Sequence, residues 1–248
     1  MSLKTNVFDS VLTDFEDETM RAYCEDMIEL MPDYHFEIPS STTNKYHNAT
    51  QCQPGGQSYH VLMVTTIMNY ILGLEYMKQK YPKPKQRDCL RIAAILHDSQ
   101  KTEGGQYTTH THPLAAQKWI EETKVEHDIS DQLKKYIGRL VASHSGSWTT
   151  SKRSSVVLPA PESDDQMLVH ICDILGSRSN LDMIYSEEQK QAVRAFLKPV
   201  DPNEIIMPFG KHQGKPLKDI PRDYLEWAYN NMTLRDPLNT AVESILGV

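Results

Sequence analysis

Six residues of this chain, His60, His97, Asp98, His112, His144 and Asp173, pair a metal-competent side chain with a position where the neighbouring sequence asks for an apolar one. The sharpest instance is Leu96 to Lys101, LHDSQK, where a histidine and an aspartate stand side by side at the end of a run that reads as buried helix. Taken singly, each has an ordinary explanation. A histidine on an apolar stripe is commonly a hydrogen-bonded core residue, Asp98 could cap a helix, and Asp173 could answer Arg178 or Arg139 in an ion pair. An aspartate among Val169, Cys172, Ile174 and Leu175 is rarely buried without a partner. Recurrence on five helical segments changes the weighing. Ordinary burial needs several independent and costly events, whereas one metal centre accounts for all of them.

The chemistry follows from the ligand types. Imidazoles mixed with carboxylates suit Fe, Mn, Co, Zn or Mg, and the scattered Cys24, Cys52, Cys89 and Cys172 form no thiolate cluster for a structural zinc. Four histidines and two aspartates exceed what one catalytic ion needs, so two divalent metal ions are expected. Asp98 next to His97 can give one ligand to each cation or bridge them. A cation pair of that kind clamps and polarises a phosphoryl group and activates a hydroxide for in-line attack.

The elements that must position these residues are helical. Apolar residues return every three or four positions over roughly 59 to 80, 87 to 98, 113 to 123, 129 to 144, 163 to 178 and 186 to 197, with no sustained period of two. His60 shares a face with Val64, Ile67, Ile71 and Leu74; His97 lines up with Leu90 and Ala94; His144 lines up with Leu133, Ile137 and Val141. His112 precedes Pro113, which suits a first helical turn. A further amphipathic stretch covers 9 to 31, stopped by Pro32. Residues 34 to 58 are rich in Ser, Thr, Asn, Gln, Pro and Gly and read as a long irregular cover, mobile or functional, such as a lid. His35 and His47 fall in that cover, and His110 and His127 read as surface residues. His170, three before Asp173, is a weaker candidate for the metal site.

Composition narrows the classes. The chain has 248 residues, 39% hydrophobic and 24% charged, with a net charge of -7. That is a soluble globular balance without the broad positive footprint of a nucleic-acid binder. The N-terminus lacks the apolar core of a secretory signal, and the apolar run near 61 to 74 is too short and too interrupted to span a bilayer. With no C-x-x-C pair, a reducing cytoplasmic setting without membrane contact is the expectation.

With these residues in place, the chain resembles the HD-domain superfamily of metal-dependent phosphohydrolases. The first family histidine would be His60 in YHVLMV, the doublet His97-Asp98 in LHDSQK, and the late aspartate Asp173 in ICDILGS. His112 in THPLAAQKW and His144 in VASHSG match the two further histidines of the binuclear branches. The resemblance spans about residues 55 to 180. It implies that Asp98 bridges two ions and that Lys101 contacts phosphate, as in members acting on nucleotides. The GYP signature of cyclic-dinucleotide hydrolases is absent, and HDSQK stands where HDIGK is more usual. Arg139, and Lys152 with Arg153 in the loop GSWTTSKRSS, are added as candidates to meet an anionic substrate.

The C-terminal stretch differs. MPFGKHQGKPLKDIPRDYLEWAYNN resembles a small module of bacterial and phage proteins that is also appended to DnaQ-like exonucleases, which implies nucleic-acid contact and, for a phage-encoded chain, a host cytoplasm. An apolar strand-like start, two glycine turns and a helix at about 221 to 231 make this module α+β.

The expectation is therefore an all-α HD-type bundle over 1–198 with a small α+β module over 201–248. Asp98 and Lys101 would be catalytic, and a nucleotide or short nucleic-acid end would be cleaved as a phosphodiester or phosphomonoester. A mixed-valence di-iron oxygenase and a non-catalytic nucleotide-sequestering protein are the alternatives.

Overall fold

Helix boundaries follow the polar punctuation of the sequence. In the computed structural model, residues 2–41, 45–103, 108–152, 154–197, 201, 205–232, 234 and 238–248 are described. The chain divides into two compact units, Met1–Phe196 and Leu197–Val248. The first holds α1 (Leu3–Leu12), α2 (Glu18–Glu29), a short α3 (Tyr34–Glu37), α4 (Gly56–Gly73), α5 (Glu75–Lys80), α6 (Pro84–Leu96), α7 (His112–Glu122), α8 (Asp131–Ala142), α9 (Asp164–Gly176) and α10 (Glu187–Arg194). Pro84 and Pro113 sit in first turns, where a missing N–H costs nothing. Ser163 opens α9 with a capping box closed by Gln166, and Ser186 opens α10 with Gln189 in the same way.

The core runs through α4, α6, α8 and α9. Val61, Leu62, Val64 and Met68 of α4 meet Leu90, Ile92, Ala93 and Ala94 of α6, Ile137 and Val141 of α8, and Val169 and Cys172 of α9, all buried. Full burial of such a side chain contributes about 1.5–3 kcal/mol. Helices α4 and α9 approach closely because Gly176 carries no side chain: a Cβ there would lie 2.5 Å from Val64 Cγ2. None of the four cysteines is in a disulfide.

Several boundaries differ from the sequence reading. The stretch 9 to 31 is not one helix, because the backbone N–H groups of Glu16 and Asp17 donate to the buried carboxylate of Asp88 and Asp17 caps α2 by accepting from Met20 N. Arg91 closes that knot on Asp88 at 2.6 Å, and Arg87 pairs with Glu16. The stretch 59 to 80 breaks at Leu74, whose backbone is extended. The cover at 34 to 58 is tied down at several of its described residues. Ser40 N donates to Gln51 O, Gly55 N to Glu37 O, and Gln57 N to Ile38 O at 2.9 to 3.0 Å. Buried Gln51 and Asn48 donate to Gly176 O and Leu181 O.

The second unit corrects the expected fold class: it is not α+β. Among its described residues are α11 (Arg222–Asn231) and α12 (Leu238–Leu246) and no strand, only a single bridge between Ile206 and Pro216. Met207 N donates to Lys215 O and Leu217 N to Ile205 O, but Pro216 has no N–H to continue a ladder, and Gly210 and Gly214 at positive φ turn the chain between the two arms. Its small core of Met207, Leu217, Ile220, Leu225, Leu238, Ala241, Val242 and Leu246 is built largely by the two helices. No helix among the described residues is long and apolar enough to cross a membrane.

Candidate metal centre

Five elements deliver the ligand-competent residues to one place in the first unit. His60 lies in the second turn of α4 and Asp173 near the end of α9. His97 caps α6 at its C-terminus with Asp98 directly after it, His112 starts α7, and His144 follows the end of α8. Helix ends let polar side chains leave the apolar stripe without breaking it.

The six form two groups of three, His60 with His97 and Asp173, and Asp98 with His112 and His144. In the first, His60 Nε2 lies 3.2 Å from His97 Nε2 and 3.1 Å from Asp173 Oδ1. In the second, His112 Nε2 lies 3.2 Å from His144 Nε2 and 3.0 Å from Asp98 Oδ1. Asp98 faces both. Its Oδ1 is directed to His112 and His144, and its Oδ2 lies 3.4 Å from His97 Nε2 and 3.7 Å from His60 Nε2.

Three imidazoles are oriented by one device. His97 Nδ1 donates to Ala94 O, His112 Nδ1 to Thr109 O and His144 Nδ1 to Val141 O, each three residues back and at 2.6 to 2.8 Å. A proton fixed on Nδ1 leaves the Nε2 lone pair for a cation. The charge states of four of the six also suit metal binding, whereas His97 is raised, its burial being outweighed by Asp98, so that a cation there would displace a proton. Burial holds the pKa of His144 down at about 3, with His97 adding to it, and burial lowers His60 as well. Burial alone would raise Asp98, but Lys101 and His97 outweigh it and keep the carboxyl well below its usual range. Asp173 is likewise held low, burial being outweighed by its hydrogen bond to His60 and by His97. Asp98 Oδ1 is buried and accepts no hydrogen bond, a deficit that a cation between the second group's nitrogens would remove.

All six but His97 line a cleft of about 530 Å³. Lys101 lines it and pairs with Asp98 Oδ2, to which Gln57 Nε2 also donates at 3.0 Å. Arg139 and Lys152 are exposed and are not among the lining residues, and Arg153 lies outside the described residues. Arg139 sits on the outer face of α8, because the apolar period there turns Ile137 and Val141 inward instead. His170 is not in either group; its Nδ1 donates to His144 O at 2.7 Å.

Residues that sequence reasoning did not assign to the site also reach the cleft: Arg178, His47, His110, Tyr46 and Trp148. His47 Nδ1 meets Gln51 Oε1 at 2.8 Å, and burial, with His60 next, lowers its pKa to about 4. Its local sequence carries only loop composition, so nothing there signalled burial. Arg178 lay in view two residues past the end of α9 as a partner for Asp173, but its Nε donates instead to Ile174 O.

The comparisons with known proteins agree with this geometry. Residues 58–177 match the family model described as HD domain. Residues 202–234 match the one described as "Putative quorum-sensing-regulated virulence factor", which lends no support to the likeness with an exonuclease-appended module. No curated protein and no solved structure matches the chain. Fold, ligand groups and family match together support a metal-dependent hydrolase. Over residues 58–177 the chain is thus similar to the HD-domain superfamily, and it carries the residues for a two-metal site.

Proposed function

We propose that the first unit is a metal-dependent phosphohydrolase that cleaves a phosphomonoester or phosphodiester of a nucleotide or nucleic-acid end. The observation that carries this reading is Asp98 turning one carboxylate oxygen to each histidine pair. His60, His97 and Asp173 would hold one divalent cation, His112 and His144 the other, and Asp98 both. When bound, such a pair supplies Lewis acidity and a water of lowered pKa. The chain does the rest. Lys101 and Arg178 bring positive charge to the same cleft, where phosphate oxygens gain charge in the transition state. Gln57 and the Nδ1 hydrogen bonds hold the acceptor atoms in register, so little reorganisation is left for the reaction.

The test is metal analysis of anaerobically purified protein, followed by a screen of mononucleotides, cyclic nucleotides and oligonucleotides with product identification. Phosphate or nucleotide release supported by Mn²⁺ or Co²⁺, lost on chelation and lost in Asp98→Ala together with bound metal, is the expected result. Full activity of metal-stripped Asp98→Ala protein would overturn the reading. Oxygen consumption by an air-sensitive iron pair would instead identify an oxygenase, and tight nucleotide retention without product a sequestering protein.

A further inference from the structure

Beside the second ligand group the chain makes a sharp turn. Two residues after His144, Gly146 takes φ +52, and a Cβ on it would lie 1.9 Å from the His170 ring. The His170 ring packs into the room left by that missing side chain, and its Nδ1 holds His144 O. The turn runs on as a 3₁₀ segment, Gly146–Trp148, which puts Trp148 on the cleft.

Trp148 is 61% exposed. Across from it stands Tyr46, 38% exposed, from the 34 to 58 cover. The two rings meet edge to face, with centroids 5.9 Å apart and planes at 67°. In that arrangement the edge of one ring rests on one face of the other, so at least one of the two rings keeps its faces clear of its partner. Lys45 Nζ lies 5.0 Å from the Tyr46 ring centroid. The largely exposed Trp148, with Tyr46 and its overlying Lys45 beside it, thus shares a cleft with Lys101 and Arg178. A planar, uncharged π-system attached to a phosphate matches both halves of such a cleft, and an aliphatic phosphate ester matches only the cationic half.

We infer that Trp148, supported by Tyr46, stacks on the nucleobase of the substrate and gives the cleft its preference for nucleoside phosphates over base-free sugar phosphates. This rests on the phosphohydrolase reading for what happens to the phosphate, but the stacking itself is a binding property. Stacking tolerates any base, since each presents a π-face. The Gly146–His170 contact couples the two functions, because the loop that carries the stacking ring also carries a ligand histidine.

The experiment compares adenosine 5′-monophosphate with ribose 5-phosphate on the full-length protein. Dissociation constants are read by calorimetry on chelator-treated and Mn²⁺-supplemented samples, and phosphate release is followed separately. The preference of the wild type for the nucleotide should fall about 5- to 150-fold in Trp148→Ala and be largely kept in Trp148→Phe. A 5′-phosphorylated tetranucleotide run in parallel assigns the base to a free nucleotide or to a chain end, according to which of the two loses affinity in Trp148→Ala. Equal affinities of the wild type for both monophosphates, or a preference unchanged in Trp148→Ala, would overturn the inference. The two readings fail separately. Equal phosphate release from both compounds at equal affinity keeps hydrolysis and removes stacking, whereas a Trp148-dependent nucleotide affinity without phosphate release from any substrate does the opposite.

Discussion

Gly176 sits against Val64 with no room for a methyl group between them: a Cβ on the glycine would lie 2.5 Å from Val64 Cγ2. One turn earlier on α4 is His60, and three residues earlier on α9 is Asp173, whose side chains meet at 3.1 Å. The contact sets the spacing of two ligand groups on different helices. Gly176→Ala is expected to weaken metal binding at the His60 group about 10- to 100-fold, and the added Val64→Ala should restore much of it. Metal titration of the single and double variants reads the coupling; additive losses would show that the contact does not set the site.

The two groups should be separable. His60→Ala is expected to lower bound metal from two equivalents towards one, and His112→Ala to do the same for the other ion. Asp98→Ala should lower both, because its two oxygens face different groups. Elemental analysis after dialysis against trace Mn²⁺ checks the pattern. One full equivalent lost in Asp98→Ala with the second untouched would contradict a shared carboxylate.

Metal removal should cost stability through the same residues. A cation that binds only the folded chain stabilises it by about 2.7 kcal/mol at a free concentration one hundred times its Kd. Urea unfolding of the first unit should therefore move to a higher midpoint on Mn²⁺ addition and back on chelation. In Asp98→Ala the shift should be small. An unchanged wild-type midpoint would argue that these residues do not hold the ion.

Gln51 is a structural pin under the cleft. Its Nε2 donates to Gly176 O at 2.8 Å and its Oε1 meets His47 Nδ1 at the same distance. Gln51→Leu leaves the buried Gly176 carbonyl without that donor and should destabilise the fold by about 1–3 kcal/mol. Denaturant unfolding measures it; a loss below about 0.5 kcal/mol, the level of an ordinary surface change, would contradict the assigned role.

The Glu16 knot gives an acid-side signature. The Arg87 hydrogen bonds outweigh burial, and with Arg91 they lower the Glu16 pKa from 4.5 to about 2. Because the folded value lies below the unfolded one, the stabilisation is complete above about pH 4.5 and is lost as pH falls towards 2. Glu16→Gln should flatten the pH dependence of stability within that window and leave the slope above pH 5 unchanged. Unfolding curves at pH 6, 4 and 3 for both proteins check this.

The identity of the ligand-competent residues was legible in sequence because a histidine or aspartate on an apolar period of three and four is costly to bury alone, and that cost is local. Helix type was legible for the same reason, since periodicity records which face is buried. Boundaries were less so. The break at residues 13 to 17 is made by Asp88, some seventy positions away, and the missing ladder in the second unit by a proline opposite Ile206, with α12 carrying no signal that was read.

What the sequence determined by itself is therefore the set of ligand-competent residues and the helices that carry them. The division into two groups around Asp98, the arrival of Arg178, His47 and Trp148 at the cleft, and the placement of Arg139 away from it were decided only in three dimensions. The physical reason is that burial leaves a periodic trace along one helix, whereas proximity between helices depends on close approaches such as that of Gly176 to Val64, whose partners lie far apart along the chain.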